Sequence, residues 1–331
     1  MLSIQDLTAL LDRMNARFVI LLCHHNADPD AIGAALALSS LLQRIRPRLR
    51  IETAAAEGPS RLSRRVLTAF SKSLTQNPLI EEADTIILLD TNTIQQLGDW
   101  AERVEAANSP IVVVDHHASH PETEQLATLT VADENASSTC EIVYRFFMDM
   151  NVRITEAEAK LLFLGIAFDT RHFILANSTT LKIVADLIDS GVKAQETLSL
   201  LSMPMEESER MARLKASRRI KLLKVGKWIV ALSYVGAYQA SAARALVSLG
   251  AHVAIVAGQR DDKLKISMRA SHKFHQATKV HLGRDLAKPL GEYLQGMGGG
   301  HAMSAGVNGV GDQEECLKHC IRLLKKKLGS A

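Results

Sequence analysis

The chain has 331 residues, 47% of them apolar and 23% charged, with 39 basic against 36 acidic side chains and a net charge of +3. These are globular proportions, with residues enough for two cores, and the near balance of charge suits a phosphate-bearing ligand without demanding one. No apolar run of about 18 residues occurs, which argues against a transmembrane helix. The scattered Cys23, Cys140, Cys316 and Cys320 contain no C-x-x-C pair and read as free thiols in a reducing compartment.

The segment 1–16 reads as an amphipathic helix carrying Asp6 and Asp12, not as a signal peptide, so a cytoplasmic protein is expected. Residues 18–23 read as a buried strand, 31–42 as a helix, 50–55 as a second strand and 60–70 as a helix. The Ile/Val-rich runs 85–89 and 111–114 have the composition of parallel strands covered on both faces, with a helix expected at 99–107 and a further strand at 126–131. Strand–helix alternation of this kind builds an α/β sheet with right-handed crossovers. From 137 to 188 the pattern turns helical. Ser137, Ser138 and Thr139 are cap residues before 140–150, Thr155 with Glu158 forms a capping box, and Ser178 caps a helix that Gly191 ends. Residues 191–205 read as a linker with room for one short helix. Beyond it come a charged helix over 206–223, strands at 228–233, 253–257 and 264–268, and helices at 239–249, 284–290 and 312–328. The expected architecture is α/β throughout: a domain over 1–190 with a mainly parallel sheet flanked by helices, and a smaller C-terminal α/β domain over 206–331.

The chemistry gathers at the strand ends. The run 111–114 stops at Asp115-His116-His117. Three other segments end or turn alike: His24-His25-Asn26-Ala27-Asp28-Pro29-Asp30, Leu88-Leu89-Asp90 and Ala167-Phe168-Asp169. Open sheets place their sites where such strand ends meet. The candidate ligands are His24, Asp28, Asp30, Asp90, His116, His117 and Asp169, with Asp115 beside them. Carboxylates and imidazoles without Cys suit manganese or another borderline divalent ion. A carboxylate can bridge two such ions, and a pair about 3.5–4 Å apart suits phosphoryl transfer. Each residue has a plainer reading: Asp28 and Asp30 suit helix capping, Asp169 a loop acid or cap, and His25 a loop contact outside the cluster.

In the C-terminal part, Lys265, Ser267, Arg269 and Ser271 alternate, with Ile266 and Met268 facing the other way. Arg269 is the candidate phosphate clamp, since a guanidinium grips oxyanions bidentately, and Lys273 and His275 extend the patch. The plainer reading is a solvated strand face. Gly298-Gly299-Gly300-His301 offers backbone N–H groups to an anion and an imidazole to a phosphate or base, or else it is a glycine turn with a surface histidine. The basic residues of 206–223 and Lys325-Lys326-Lys327 read as solvated helix faces.

These motifs resemble the DHH phosphoesterase superfamily, whose name matches Asp115-His116-His117. Residues 24–33 are similar to its first motif, His-x-Asn-Pro-Asp-Gly-Asp-Ala-Ile-Gly, with Ala27 and Pro29 standing where the family favours Pro and Gly. Leu89-Asp90-Thr91-Asn92 and Phe168-Asp169-Thr170 resemble the second and fourth. Gly298 to Gly306 resembles the Gly-Gly-Gly-His-x-x-Ala-Ala-Gly motif of the DHHA1 domain, with Ser304 in place of an Ala. The resemblance implies two divalent cations, manganese or alternatively magnesium, that activate a bridging hydroxide. His24 and Asp28 would hold one, Asp30, His116 and Asp169 the other, and Asp90 both. Asp115 would orient its neighbours, His117 would face the phosphate, and Arg269, Ser271, Gly298, Gly299, Gly300 and His301 would bind substrate. A pair of domains this compact resembles the oligoribonuclease (NrnA-like) branch more than the long RecJ-like exonucleases. That implies a phosphodiesterase or exonuclease taking short single-stranded oligonucleotides or dinucleotides to mononucleotides. The alternatives are a cyclic-dinucleotide, pApA or 3′-phosphoadenosine 5′-phosphate hydrolase and, last, an inactive scaffold in a replication or repair complex. Family II pyrophosphatases share the metal motifs but lack the glycine–histidine signature, and a homodimer is compatible with all of these readings.

Overall fold

The computed structural model describes residues 3–118, 120–202 and 205–329. The chain divides into two compact units, 1–203 and 204–331. No helix of the described residues is long and apolar enough to cross a membrane.

The first unit is built on five parallel strands, β1 (Phe18–Cys23), β2 (Arg50–Ala55), β3 (Thr85–Leu89), β4 (Ile111–Asp115) and β5 (Leu129–Ala132), in the order β2-β1-β3-β4-β5. β1, β3 and β4 are buried along their whole length because both faces are covered. Alternate residues divide between two cores. Val19, Leu21, Ile87, Leu89, Val112 and Val114 pack towards the helices Pro29–Ile45, Thr139–Asp149 and Glu156–Asp169. Phe18, Ile20, Leu22, Ile86, Leu88 and Val113 pack towards residues 94–104. The strand order reverses direction between β1 and β3, and at such a point the C-terminal strand ends leave a crevice.

Several boundaries differ from the sequence reading. The expected helix at 99–107 is a 3-10 stretch, Ile94–Trp100, running into a short helix, Ala101–Glu105. The strand expected at 126–131 is Leu129–Ala132, because Pro121 starts a helix that holds 121–126. The helix over 178–189 is capped by Asn177, whose side-chain oxygen accepts from the N–H groups of Thr179 and Thr180, so Ser178 is its first residue and not its cap. Thr155 and Glu158 do form the reciprocal capping box. Within 191–205, read as linker, Ala194–Leu198 and Ser199–Leu201 are helical, and Val192, Thr197 and Leu201 are buried in the first unit.

The second unit carries a six-stranded mixed sheet of β6 (Lys221–Val225), β7 (Trp228–Tyr234), β8 (Val253–Arg260), β9 (Lys263–Ala270), β10 (Met297–Gly300) and β11 (Ser304–Val310), ordered β10-β11-β9-β8-β7-β6. Only β7 and β8 run parallel among these pairs. The charged helix expected over 206–223 stops at Arg218, and 221–225 leaves as the edge strand β6. The expected helix 284–290 is a π-helical turn, Leu282–Ala287, continued by Lys288–Tyr293, and the helix His272–Thr278 had no sequence signal.

Candidate metal centre

Each strand that reaches the switch point hands over one or two side chains. β1 ends at Cys23 and His24 follows. The His24 Nδ1 lies 2.8 Å from the His25 carbonyl oxygen. A carbonyl can only accept, so Nδ1 is the donor there and Nε2 faces Asp28 and Asp90. His25 turns away, its Nδ1 on the Gln96 carbonyl at 3.0 Å. β3 ends at Leu89, and Asp90 adopts a left-handed backbone at φ 53°, which an aspartate tolerates. β4 ends in Asp115, whose Oδ1 accepts from both the backbone N–H and the Nδ1 of His117 at 2.8 Å.

The helices supply the rest. Asp28 caps the Pro29–Ile45 helix with Oδ1, which accepts from Asp30 and Ala31, while its Oδ2 lies 4.0 Å from His24 Nε2. The capping reading of Asp28 therefore holds through Oδ1, and Oδ2 is left facing His24. Asp30 is fully buried. Its carboxylate accepts from the N–H groups of Thr139 and Cys140 at the start of the Thr139–Asp149 helix, at 2.6 and 3.0 Å. Asp169 ends the helix Glu156–Asp169, with Oδ2 3.1 Å from His116 Nε2.

Asp90 sits between two groups. Its Oδ2 lies 3.7 Å from His24 Nε2, and its Oδ1 lies 3.6 Å from His116 Nε2. The donor atoms fall into clusters of His24, Asp28 and Asp90, of Asp30, His116 and Asp169, and of Asp90, Asp115, His116 and His117. Donors that share one divalent ion at about 2.1 Å each lie no more than about 4.2 Å apart, and the His24–Asp28, His24–Asp90, His116–Asp90 and His116–Asp169 pairs lie within that limit.

The electrostatics point the same way. Burial, then Asp90 and Asp169, pushes the Asp28 carboxyl up to about 6. Burial and the same neighbouring carboxylates raise Asp30 well above its ordinary value. Burial also acts to raise Asp90, but the His117 hydrogen bond and the charges of His116 and His24 outweigh it and hold Asp90 low. Four carboxylates collected here repel one another, and a cation removes that penalty. His116 Nε2 is buried without a hydrogen-bond partner among the described residues, because its approach to Asp169 lacks hydrogen-bond geometry. Against burial, Asp169 and then Asp90 raise the His116 pKa, so a metal ion there would replace a proton on Nε2. The residues present fit divalent metal. The hydrogen bond to Asp115, then that to Asp90, lifts His117 to about 10, so its half-exposed ring is a cation at neutral pH.

Three contributors escaped the sequence reading. Thr139 Oγ1 donates to Asp90 Oδ1 at 3.1 Å, a task beyond the capping its sequence position announces. Gly165 lies in the middle of an apolar helix, where a Cβ would stand 2.6 Å from Asp30 Oδ1 and 2.3 Å from Cys140 Sγ. An isolated glycine inside a helical pattern was the available signal. In the second unit, Arg244 is close enough to Arg269 to act with burial in lowering that guanidinium's pKa.

The candidate substrate residues of the second unit gather at one end of its sheet. Arg269 on β9 is registered opposite Ser304 on β11, and the His301 N–H donates to the Ser304 carbonyl at 2.7 Å. Arg269 itself donates from Nη1 to the Met268 carbonyl at 2.8 Å. Ser267 is buried with its strand neighbours, and Ser271 lies beyond the strand, where it caps the His272–Thr278 helix. Gly298 and Gly300 are packed on backbone. A Cβ on Gly298 would meet the Ala287 carbonyl oxygen at 1.8 Å, and Gly300 has φ 135°. Gly299 has open space where a Cβ would be. His301 is exposed.

A parallel sheet that gathers carboxylates and imidazoles at its switch point is the architecture of a metal-dependent site suited to phosphoester hydrolysis. The model of the DHH family, N-terminal domain, matches residues 18–166. An uncharacterized protein of Methanocaldococcus jannaschii is 32% identical over 322 residues, which cover 96% of this chain and 96% of that protein. The chain belongs to the DHH family. The bifunctional oligoribonuclease and PAP phosphatase NrnA of Bacillus subtilis is 26% identical over 188 residues, 55% of this chain and 56% of that one. A probable manganese-dependent inorganic pyrophosphatase of Streptococcus thermophilus is 31% identical over 200 residues, 60% and 59% of the two chains. The chain spans less than two thirds of the length of these last two relatives.

Proposed function

We propose that this phosphoesterase is a phosphodiesterase that hydrolyses short oligonucleotides to mononucleotides with two divalent ions, manganese in preference to magnesium. The observation that carries the reading is Asp90, whose two oxygens face His24 on one side and His116 on the other. His24 and Asp28 would hold one ion, Asp30, His116 and Asp169 the second, and Asp90 would join them. Bound there, the ions would supply an activated water and offset charge on the phosphoryl oxygens. The chain's own part is positional. Asp115 fixes the ring of His117 through Nδ1 and leaves Nε2 to donate to a phosphoryl oxygen or the leaving alkoxide. Thr139 and the helix N-terminus behind Asp30 keep two carboxylates in place. Arg269 and His301, with the open Gly299, would take the remoter phosphates or a base, beside the Ser271 cap.

The bifunctional name of the Bacillus relative supports 3′-phosphoadenosine 5′-phosphate as an alternative substrate, and a linear or cyclic dinucleotide is a further alternative. The 31% identity to the pyrophosphatase supports a second reading, hydrolysis of inorganic pyrophosphate. A manganese-loaded substrate panel decides between them. It spans dinucleotides to 30-mers with both end chemistries, cyclic di-AMP, 3′-phosphoadenosine 5′-phosphate and pyrophosphate. Preference for oligomers of a few nucleotides is expected. Turnover of pyrophosphate alone would replace the proposal with the second reading.

A further inference from the structure

Directly after Asp169 the chain does something unusual. Arg171, His172 and Phe173 have φ of 51°, 58° and 69°, three successive left-handed residues without a glycine. L-residues enter that region singly and at a cost, so a run of three persists only where its surroundings hold it. Here the anchors are specific. The N–H groups of Arg171 and His172 donate to the Phe168 and Ala167 carbonyls at 3.1 and 2.7 Å, and that of Leu175 to the Thr170 carbonyl at 2.9 Å. The Phe173 N–H donates to Thr170 Oγ1 at 3.1 Å, and the Phe173 ring packs edge-on against Phe163 at 5.2 Å. The half-buried Phe173 ring packs against the core, and its neighbours Arg171, His172, Ile174 and Leu175 are turned out.

What is turned out has a definite chemistry. Arg171 and His172 are exposed, and neither side chain has a hydrogen-bond or ion-pair partner among the described residues. Ile174 and Leu175 beside them are 81% and 59% exposed. Two Cα steps separate Arg171 from Asp169, so the turn begins within about 7 Å of the metal-centre backbone. Glycine or asparagine would reverse the chain here with less strain, so chain reversal alone does not account for this sequence.

We infer that the turn 171–175 is a nucleotide-recognition surface, on which Arg171 and His172 bind the phosphate next to the scissile one and Ile174 and Leu175 lie against that nucleotide's base and ribose. The inference rests on the phosphodiesterase reading. A guanidinium and an imidazole beside an apolar pair match a nucleoside phosphate, which carries anionic oxygens and an apolar ring face together. Pyrophosphate would leave Ile174 and Leu175 without a partner.

The test uses the full-length manganese-loaded protein, with pApA and bis(p-nitrophenyl) phosphate as substrates. Arg171→Gly removes the guanidinium and relieves the backbone, so its melting temperature should hold or rise. Its KM for pApA should rise about tenfold, the size of one charge-assisted hydrogen bond, with a several-fold smaller loss on the small diester. Ile174→Ser should raise the pApA KM by about threefold, with a likewise smaller effect on the small diester. An Arg171→Gly protein that is more stable and keeps the wild-type KM for pApA would make the turn structural and overturn the inference. Equal losses on both substrates would also overturn it, by placing Arg171 at the reacting centre. Failure of the underlying reading would appear separately, as a wild-type protein that turns over pyrophosphate but neither diester.

Discussion

The two histidines of the Asp115-His116-His117 triplet have different surroundings, and their replacement should separate them. His116 Nε2 is buried between Asp169 and Asp90, whereas the His117 ring is tied to Asp115 and half exposed. His116→Ala is expected to weaken one metal equivalent. His117→Ala should keep both and lose about 10²- to 10³-fold in kcat, as the removal of a positioned proton donor does. Asp90→Ala should lose both ions, and metal analysis of the purified variants checks all three; two ions retained on Asp90→Ala would break the bridging assignment. The pH dependence has a sign fixed by Asp28, whose carboxyl stands near 6 against an ordinary 3.8. A value raised in the folded state adds stability below the unfolded value and loses it as pH climbs through the folded one. In chelator, the melting temperature of the wild type relative to Asp28→Asn should therefore fall between about pH 4 and pH 7. Manganese reverses that sign, because only the ionised carboxylate binds it. A chelator profile that rises over the same window relative to the variant would contradict the assignment. Sequence made the ligands legible because each lies at a strand or helix end, where apolar periodicity stops. It left Asp28 open between cap and ligand because a carboxylate has two oxygens, and here Oδ1 takes the cap while Oδ2 stays turned to His24.

At the scale of elements, three helices make the site as much as the sheet does. Pro29–Ile45, Thr139–Asp149 and Glu156–Asp169 pack closely enough that a Cβ on Gly165 would meet the Cys140 thiol, the Asp30 carboxylate and the Asp30 backbone. In an exposed helix, alanine in place of glycine would stabilise by about 1 kcal/mol. Here the added methyl meets buried atoms inside ordinary contact distance, so Gly165→Ala should destabilise by roughly 1–3 kcal/mol and displace Asp30. The paired readout is denaturant unfolding with metal affinity; a stabilised variant with normal affinity would show that the packing yields. This dependence was hidden in the sequence because a mid-helix glycine announces close approach without naming the neighbour. β1 and β3 were read correctly to the residue, since a parallel strand covered on both faces is an apolar run and little else. β6, β10 and β11 were not. β6 is an exposed edge that lacks a buried alternation, and β10 is Met297 followed by three glycines, a composition that signals a turn. Its strand character comes from pairing with β11, a long-range contact outside any local window.

At the scale of the whole molecule, the proposed function puts chemistry in one of the two compact units and substrate selection in the other. Among the described residues the clustered carboxylates and imidazoles belong to residues 1–203, while Arg269 and His301 belong to 204–331. Arg269→Ala and His301→Ala are expected to raise KM for oligonucleotides more than they slow a small activated diester. An equal loss in kcat/KM on both would bring these residues to the reacting centre. The same division has a thermal consequence. Each unit has its own apolar core, and a ligand stabilises only the part whose folded form binds it. Manganese at about a hundredfold over its Kd adds about 2.7 kcal/mol per site. For a unit of about 200 residues that corresponds to a rise of roughly 5–10 °C for one site. Calorimetry should therefore resolve a manganese-dependent transition and one that stays where it is, and Asp90→Ala should remove the dependence from the first. Both transitions moving together would mean that the units unfold as one, and the separation of chemistry from selection would then need to be tested in the intact chain by kinetics alone.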